Sequence, residues 1–113
     1  MDRLQANQQI NVNGELVSNN GWFRLVMQGD GNLVIYRTMT GQALWASNTV
    51  GQPNNYAVMQ GDGNFVVYTA QGAAQWASGT NGHPGAWVVM QDDGNLVIYH
   101  NGRTPIWASG TQR

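Results

Sequence analysis

The chain has 113 residues, 42% of them hydrophobic, enough for one domain with a single core and too apolar for a disordered segment. It carries five basic and six acidic residues, and the arginines (Arg3, Arg24, Arg37, Arg103 and Arg113) are scattered, so no basic patch for nucleic acid or an anionic membrane is formed. Cysteine is absent, which excludes a disulfide framework and any thiolate metal site.

Polarity comes instead from 13 asparagines and 11 glutamines, a surface that hydrogen-bonds through amides and carries little field. The first 20 residues show no apolar core of a signal peptide, and no apolar run reaches membrane length. The expectation is a cytoplasmic protein, or one released without a classical signal, with no membrane insertion.

In chain order, Met1 to Gln9 shows one loose strand around Leu4. Asn13-Gly14 lies between Ile10-Asn11-Val12 and Glu15-Leu16-Val17-Ser18 and predicts a short β-hairpin leading into the first repeat. Three internal repeats follow, at about 22–49, 56–80 and 87–111. Each begins with an apolar strand, as in Phe23 to Met27, and turns at Gly29-Asp30-Gly31-Asn32 or its counterpart. Each then returns through a β-branched and aromatic strand such as Leu33-Val34-Ile35-Tyr36. A second turn (Thr40-Gly41, Gln71-Gly72, Asn101-Gly102) leads to a third strand holding Trp45, Trp76 or Trp107. Nothing shows helical periodicity, so the chain is all-β.

The turn and return strand spell one phrase three times. Gln28, Asp30, Asn32, Val34 and Tyr36 recur as Gln60, Asp62, Asn64, Val66 and Tyr68, and again as Gln91, Asp93, Asn95, Val97 and Tyr99. A fixed period of this kind marks one supersecondary unit used repeatedly. The tryptophan phrase Trp-Ala-Ser-x-Thr follows each copy. The period of two divides the return strand: Leu33 and Ile35 lie on one face, Val34 and Tyr36 on the other. The first face varies between repeats as a core does, whereas the second is identical. Three units suit a closed three-fold arrangement, with Trp45, Trp76 and Trp107 filling a shared centre beside the small residues Ala46, Ser47, Ala77, Ser78 and Ala108.

The repeated face offers a carboxylate, amide donors and acceptors, a phenol and one apolar spot. That mixture suits a neutral polyhydroxylated ligand, whose hydroxyls both donate and accept. A well-formed turn alone explains Asp-Gly-Asn but not an identical glutamine and tyrosine three times.

The intact triplication of Q-x-D-x-N-x-V-x-Y, each copy followed by W-A-S-x-T, resembles the monocot mannose-binding (bulb-type) lectin family over nearly the whole chain. The resemblance implies a β-prism II: three antiparallel four-stranded sheets around a pseudo-three-fold axis. The residues themselves give three strands per unit, so the fourth is implied by the family alone. It further implies a mannose site in each copy. Asp30 and Asn32 would hold the axial 2-hydroxyl, Gln28 the 3-hydroxyl and Tyr36 the 4-hydroxyl, with Val34 against the ring carbons; the other two copies repeat these roles. A pocket that hydrogen-bonds one hydroxyl rejects epimers by leaving polar groups unpaired, and three shallow sites would gain strength on clustered glycans through multivalency. The family also implies a homodimer formed by exchange of the C-terminal strand, here Ile106 to Thr111. The intra-chain disulfide of many plant members has no counterpart.

No catalytic or metal constellation accompanies the phrase, and no cofactor is implied. Glycoside hydrolysis needs two carboxylates across one bond, and each repeat has one fixed aspartate. Asp92 replaces a repeat glycine and reads as a solvated substitution; His83 and His100 have no repeated partner. Asp-Gly-Asn lacks the further acidic ligands of a calcium loop. The competing reading is a prism scaffold used for protein binding, or as a toxin- or bacteriocin-like defence protein.

Overall fold

The computed structural model describes residues 1–113, and every element in it is a strand. Twelve strands run in order: β1 (Arg3–Leu4), β2 (Gln9–Ile10), β3 (Glu15–Val17), β4 (Phe23–Met27), β5 (Leu33–Arg37), β6 (Ala43–Ala46), β7 (Tyr56–Met59), β8 (Phe65–Tyr68), β9 (Ala74–Ala77), β10 (Trp87–Met90), β11 (Leu96–His100) and β12 (Thr104–Ala108). They form three antiparallel four-stranded sheets, ordered β3-β4-β5-β6, β2-β7-β8-β9 and β1-β10-β11-β12. This is the β-prism II architecture expected above.

The N-terminal segment behaves differently from expectation. A turn does form at Asn13, whose φ is +67°, and Gly14 N–H donates to Asn11 C=O at 2.8 Å. The strands on either side of it do not pair, however: β2 joins β7 and β3 joins β4. The predicted hairpin is therefore absent, because each strand is needed as the fourth strand of a different sheet. Leu4, Ile10 and Leu16, spaced six residues apart, each place one buried side chain in the core from these edge strands. The chain thus lays down edges for the third, second and first sheets in that order before building the three repeats forwards.

Alternation in the strands then makes the core. Leu25, Met27, Leu33 and Ile35 of the first repeat are sealed, as are Met59, Phe65 and Val67 of the second and Met90, Leu96 and Ile98 of the third. Each such side chain contributes about 1.5–3 kcal/mol on burial. The three indoles meet edge to face, with centroids 5.2, 5.6 and 5.8 Å apart. They are only partly buried, so they cap the core rather than fill it. The small residues beside them follow suit: Ser47 is buried, but Ala77 and Ala108 are exposed and line no crowded interior. The tryptophans and alanines lie on the outermost strand of each sheet, where one flank has no neighbour, and Ser47 follows directly after β6. β12 pairs with β11 of the same chain, and Thr111 beyond it is buried.

Candidate functional site

Each repeat builds the same small construction at its first turn. In the first, Gln28 N–H donates to Asn32 C=O at 2.9 Å and Gly31 N–H to Gln28 C=O at 3.1 Å, closing the turn between β4 and β5. The Asp30 carboxylate accepts Asn32 N–H at 3.0 Å, a local bond of the kind that suits aspartate to turns. Gln28 Nε2 donates to both Asp30 oxygens, at 3.1 and 3.3 Å, and Tyr36 O–H donates to Gln28 Oε1. The second and third repeats reproduce this chain of bonds through Gln60, Asp62 and Tyr68 and through Gln91, Asp93 and Tyr99. The sequence-predicted polar residues of each copy are therefore brought together in one hydrogen-bonded arc.

The tyrosine is set by an irregularity that the sequence did not announce. Ile35 opposes Trp45 but Tyr36 opposes Ala43, which leaves Leu44 as an extra residue on β6. The same shift falls just before Tyr68 and Tyr99. Such bulges bend a strand and re-aim its side chains.

Asparagine has two roles. Asn32 Oδ1 accepts from Ser47 Oγ–H at 3.3 Å and Thr49 N–H at 3.2 Å. In the other repeats the equivalent oxygen also takes Gly79 N–H at 2.9 Å and Gly110 N–H at 3.0 Å. Backbone donors aimed at one atom fix it as the carbonyl oxygen, so the amide Nδ2 is left free to donate outwards. The serine and threonine of W-A-S-x-T hold this arrangement from behind. Ser47 Oγ accepts Leu33 N–H at 3.1 Å, and Thr49 Oγ1–H donates to Gly31 C=O at 2.5 Å. Ser78 with Thr80 and Ser109 with Thr111 do the same. These six residues belong to the site's support and were read above as part of the tryptophan phrase; their threefold repetition was the signal.

Between the clamp and the turn there is no spare room. Gly31 and Gly63 both have φ of +96°, and a Cβ at either would lie 2.4 Å from Gln52 O or 2.3 Å from His83 O. Only glycine fits there.

The valines are placed differently from expectation. Val34, Val66 and Val97 lie on the outer face but expose only 3, 2 and 3% of their surface. Val26 and Ala46 flank Val34 on the neighbouring strands. Each is a packed floor rather than an open apolar spot. Asp92 is exposed, yet it is not merely solvated: its carboxylate accepts Asn20 N–H at 2.8 Å, tying the third turn to the N-terminal segment.

What each arc leaves unused defines its chemistry. Asp30 and Tyr36 keep acceptor lone pairs, while Asn32 Nδ2 and the second N–H of Gln28 remain as donors. The bond from Asn32 N–H, and after it the one from Gln28, holds the Asp30 carboxyl below its ordinary pKa of 3.8; Asn64 N–H and Gln60 do the same for Asp62. The carboxylates are thus charged acceptors at neutral pH. No group of three or more histidine, cysteine or acidic side chains is positioned to hold a metal ion.

The chain was compared with known proteins. No family model matches it. Along its full length it is 40% identical to a monomeric monocot mannose-binding lectin from Gastrodia elata, with a TM-score of 0.89 and complete coverage of both chains. The chain belongs to the monocot mannose-binding (bulb-type) lectin family. The mannose-specific agglutinin of snowdrop, Galanthus nivalis, solved with methyl-α-D-mannoside, is 36% identical at a TM-score of 0.82 and is covered to 99%, against 100% of this chain. A B-type lectin from Scorpaena plumieri, plumieribetin, is 48% identical over 48 residues, which span 42% of this chain and 40% of that protein's length. As a bulb-type lectin the chain is a carbohydrate-binding protein and not an enzyme.

Proposed function

We propose that the chain binds mannose and mannose-terminated glycans through three sites, one on each hydrogen-bonded arc. The observation that carries this is the arc itself: Tyr, Gln, Asp and Asn are locked to one another, and each keeps a donor or acceptor facing out. A vicinal pair of hydroxyls, one donating to Asp30 and one accepting from Asn32 or Gln28, would meet those groups without rearrangement, which limits the cost of ordering side chains on binding. The snowdrop lectin solved with methyl-α-D-mannoside supports mannose as the sugar. The protein-binding or toxin-like scaffold would not need all fifteen motif residues kept.

For assembly we propose the single closed chain as the working unit, in place of the strand-exchanged homodimer the family suggests. β12 completes its own sheet, and the Gastrodia lectin matched end to end is monomeric. Avidity then comes from three sites on one body. Light scattering in solution would give the chain mass of 12.3 kDa if this is right and twice that mass if exchange occurs.

Retention on immobilised mannose tests the function. The triple variant Asp30→Ala, Asp62→Ala and Asp93→Ala should flow through the column while keeping the wild-type circular dichroism spectrum. A folded triple variant that is still retained would place mannose elsewhere on the molecule.

A further inference from the structure

Four asparagines in the chain are followed by glycine, Asn13, Asn20, Asn81 and Asn101, and all four are exposed. An asparagine so placed can react with its own backbone. The nitrogen of the next residue attacks the side-chain amide carbon, and glycine presents that nitrogen with no side chain in the way. The attacking N–H must first be free, and in three of the four steps it is not. Gly14 N–H donates to Asn11 C=O at 2.8 Å, Gly21 N–H to Ser18 C=O at 2.9 Å and Gly82 N–H to Asp62 C=O at 2.9 Å. Asn20 is held at its side chain as well. Its Oδ1 accepts Ser18 O–H at 2.7 Å and Trp22 N–H at 3.0 Å, and its Nδ2 donates to Asp92 C=O at 3.1 Å.

Asn101 has neither restraint. It opens the three-residue turn Asn101-Gly102-Arg103 between β11 and β12, and no backbone hydrogen bond involves any of the three. The next side-chain bonds along the chain belong to Tyr99 and Ser109. The corresponding turns of the other repeats are tied. Gly41 N–H donates to Arg37 C=O and Gly72 N–H to Thr69 C=O, both at 2.9 Å, and the residues before those glycines are Thr40 and Gln71. Ring closure needs the backbone to rotate about Asn101, and there the rotation breaks no hydrogen bond. The arcs carry the related pairs Asp30-Gly31, Asp62-Gly63 and Asp93-Gly94, but their glycine N–H groups donate to Gln28, Gln60 and Gln91 C=O at 3.0–3.1 Å. The bonds that close each arc also shield it from this chemistry.

We propose that Asn101 is a self-modification site, the position at which this chain deamidates first. Gly102 N loses its proton to solvent and bonds to Asn101 Cγ, ammonia leaves, and a five-membered succinimide closes. Water then opens the ring. Cleavage between Gly102 N and Cγ leaves an aspartyl residue, and cleavage between Gly102 N and the main-chain carbonyl carbon leaves an isoaspartyl residue. In sum one water is consumed and one ammonia released, with no change of oxidation state. Either product sets a carboxylate two residues from Arg103 and makes the formal net charge of −1 more negative by one unit. The isoaspartyl form also routes the main chain through Cβ. That adds an atom to the turn between His100 and Thr104, the pair that closes the β11–β12 ladder, so the third sheet alone bears the change.

The test holds the purified protein at mildly alkaline pH and follows each of the four asparagines by peptide mass spectrometry. Asn101 should convert about fivefold faster than Asn13, Asn20 or Asn81, the scale of one backbone hydrogen bond that must first open. In urea strong enough to unfold the chain that advantage should vanish and the four rates should converge, because no step then has a bonded glycine N–H. Asn101→Gln, whose longer side chain closes a ring far more slowly, should remove the first acidic form to appear on ion exchange. Equal rates in the folded protein, or another asparagine reacting first, would overturn the proposal. So would an order of rates that survives unfolding, or an early acidic form that persists in Asn101→Gln.

Discussion

Replacing the clamp threonines by valine should separate two kinds of buried carbonyl. Thr49, Thr80 and Thr111 are nearly sealed and donate to Gly31, Gly63 and Gly94 C=O, respectively. Valine keeps the shape and removes the hydroxyl. In every repeat the neighbouring serine hydroxyl, 2.7–2.8 Å away, also loses the threonine oxygen as an alternative acceptor and keeps the asparagine Oδ1, so this part of the cost cancels in a comparison. What differs is the carbonyl left behind. Gly31 C=O retains a second donor, Asn55 Nδ2 at 3.0 Å, and Asn55 is itself fully buried. Gly63 and Gly94 C=O have only the threonine.

A lost bond whose acceptor keeps a partner costs about 0.5–1.5 kcal/mol, while leaving a buried acceptor unpaired costs about 1–3 kcal/mol. Thr80→Val and Thr111→Val should therefore each destabilise by ~1 kcal/mol more than Thr49→Val. At a urea slope of about 2 kcal/mol per molar, the unfolding midpoints should differ by roughly 0.5 M. Equilibrium urea unfolding followed by tryptophan fluorescence measures this directly. If Thr49→Val proves as costly as the other two, the hydrogen-bond accounting of the clamp is wrong.

Two further outcomes follow from the site. Mannose retention should hold from neutral pH down to about 4 and fall below the ordinary aspartate pKa of 3.8, because Asp30 and Asp62 have lowered values when folded. By linkage their contribution to stability is present above that pKa and is lost as pH falls through the folded one; retention and unfolding measured down to pH 2 check both. Gly63→Ala forces a side chain into positive φ and against His83 O, so it should cost more than about 4 kcal/mol and lower the melting temperature by more than 10 °C. A melting temperature within about 2 °C of wild type would show that the loop yields.

Much of this was legible in the sequence because the information is local and repeated. The period of two in Leu33 to Tyr36 assigns the core face without knowledge of the partner strands, and Leu33 and Ile35 are sealed as that predicts. The arcs join residues no more than eight apart, so their spacing carries their geometry. Failures occurred where pairing is long-range. Asn13-Gly14 does make a turn, but sheet membership depends on residues as distant as Val58 for Gln9, and a dipeptide cannot express that. The six-residue spacing of Leu4, Ile10 and Leu16 was the available clue. The buried valines and half-open tryptophans likewise reflect which neighbours a strand has on each flank, a property of the assembled sheet.

The reversed order of the N-terminal edges nests the three sheets inside one another. The first sheet draws on residues 15–46, the second on 9–77 and the third on 3–108. A chain emerging from the ribosome therefore has all strands of the first sheet long before those of the third, whose earliest piece must wait for the last repeat. Loop-closure entropy rises along the same series, so the innermost sheet is the fastest to assemble and the outermost the slowest. Because one hydrogen-bonded arc belongs to each sheet, the three proposed sites are completed stepwise, from the centre of the nest outwards.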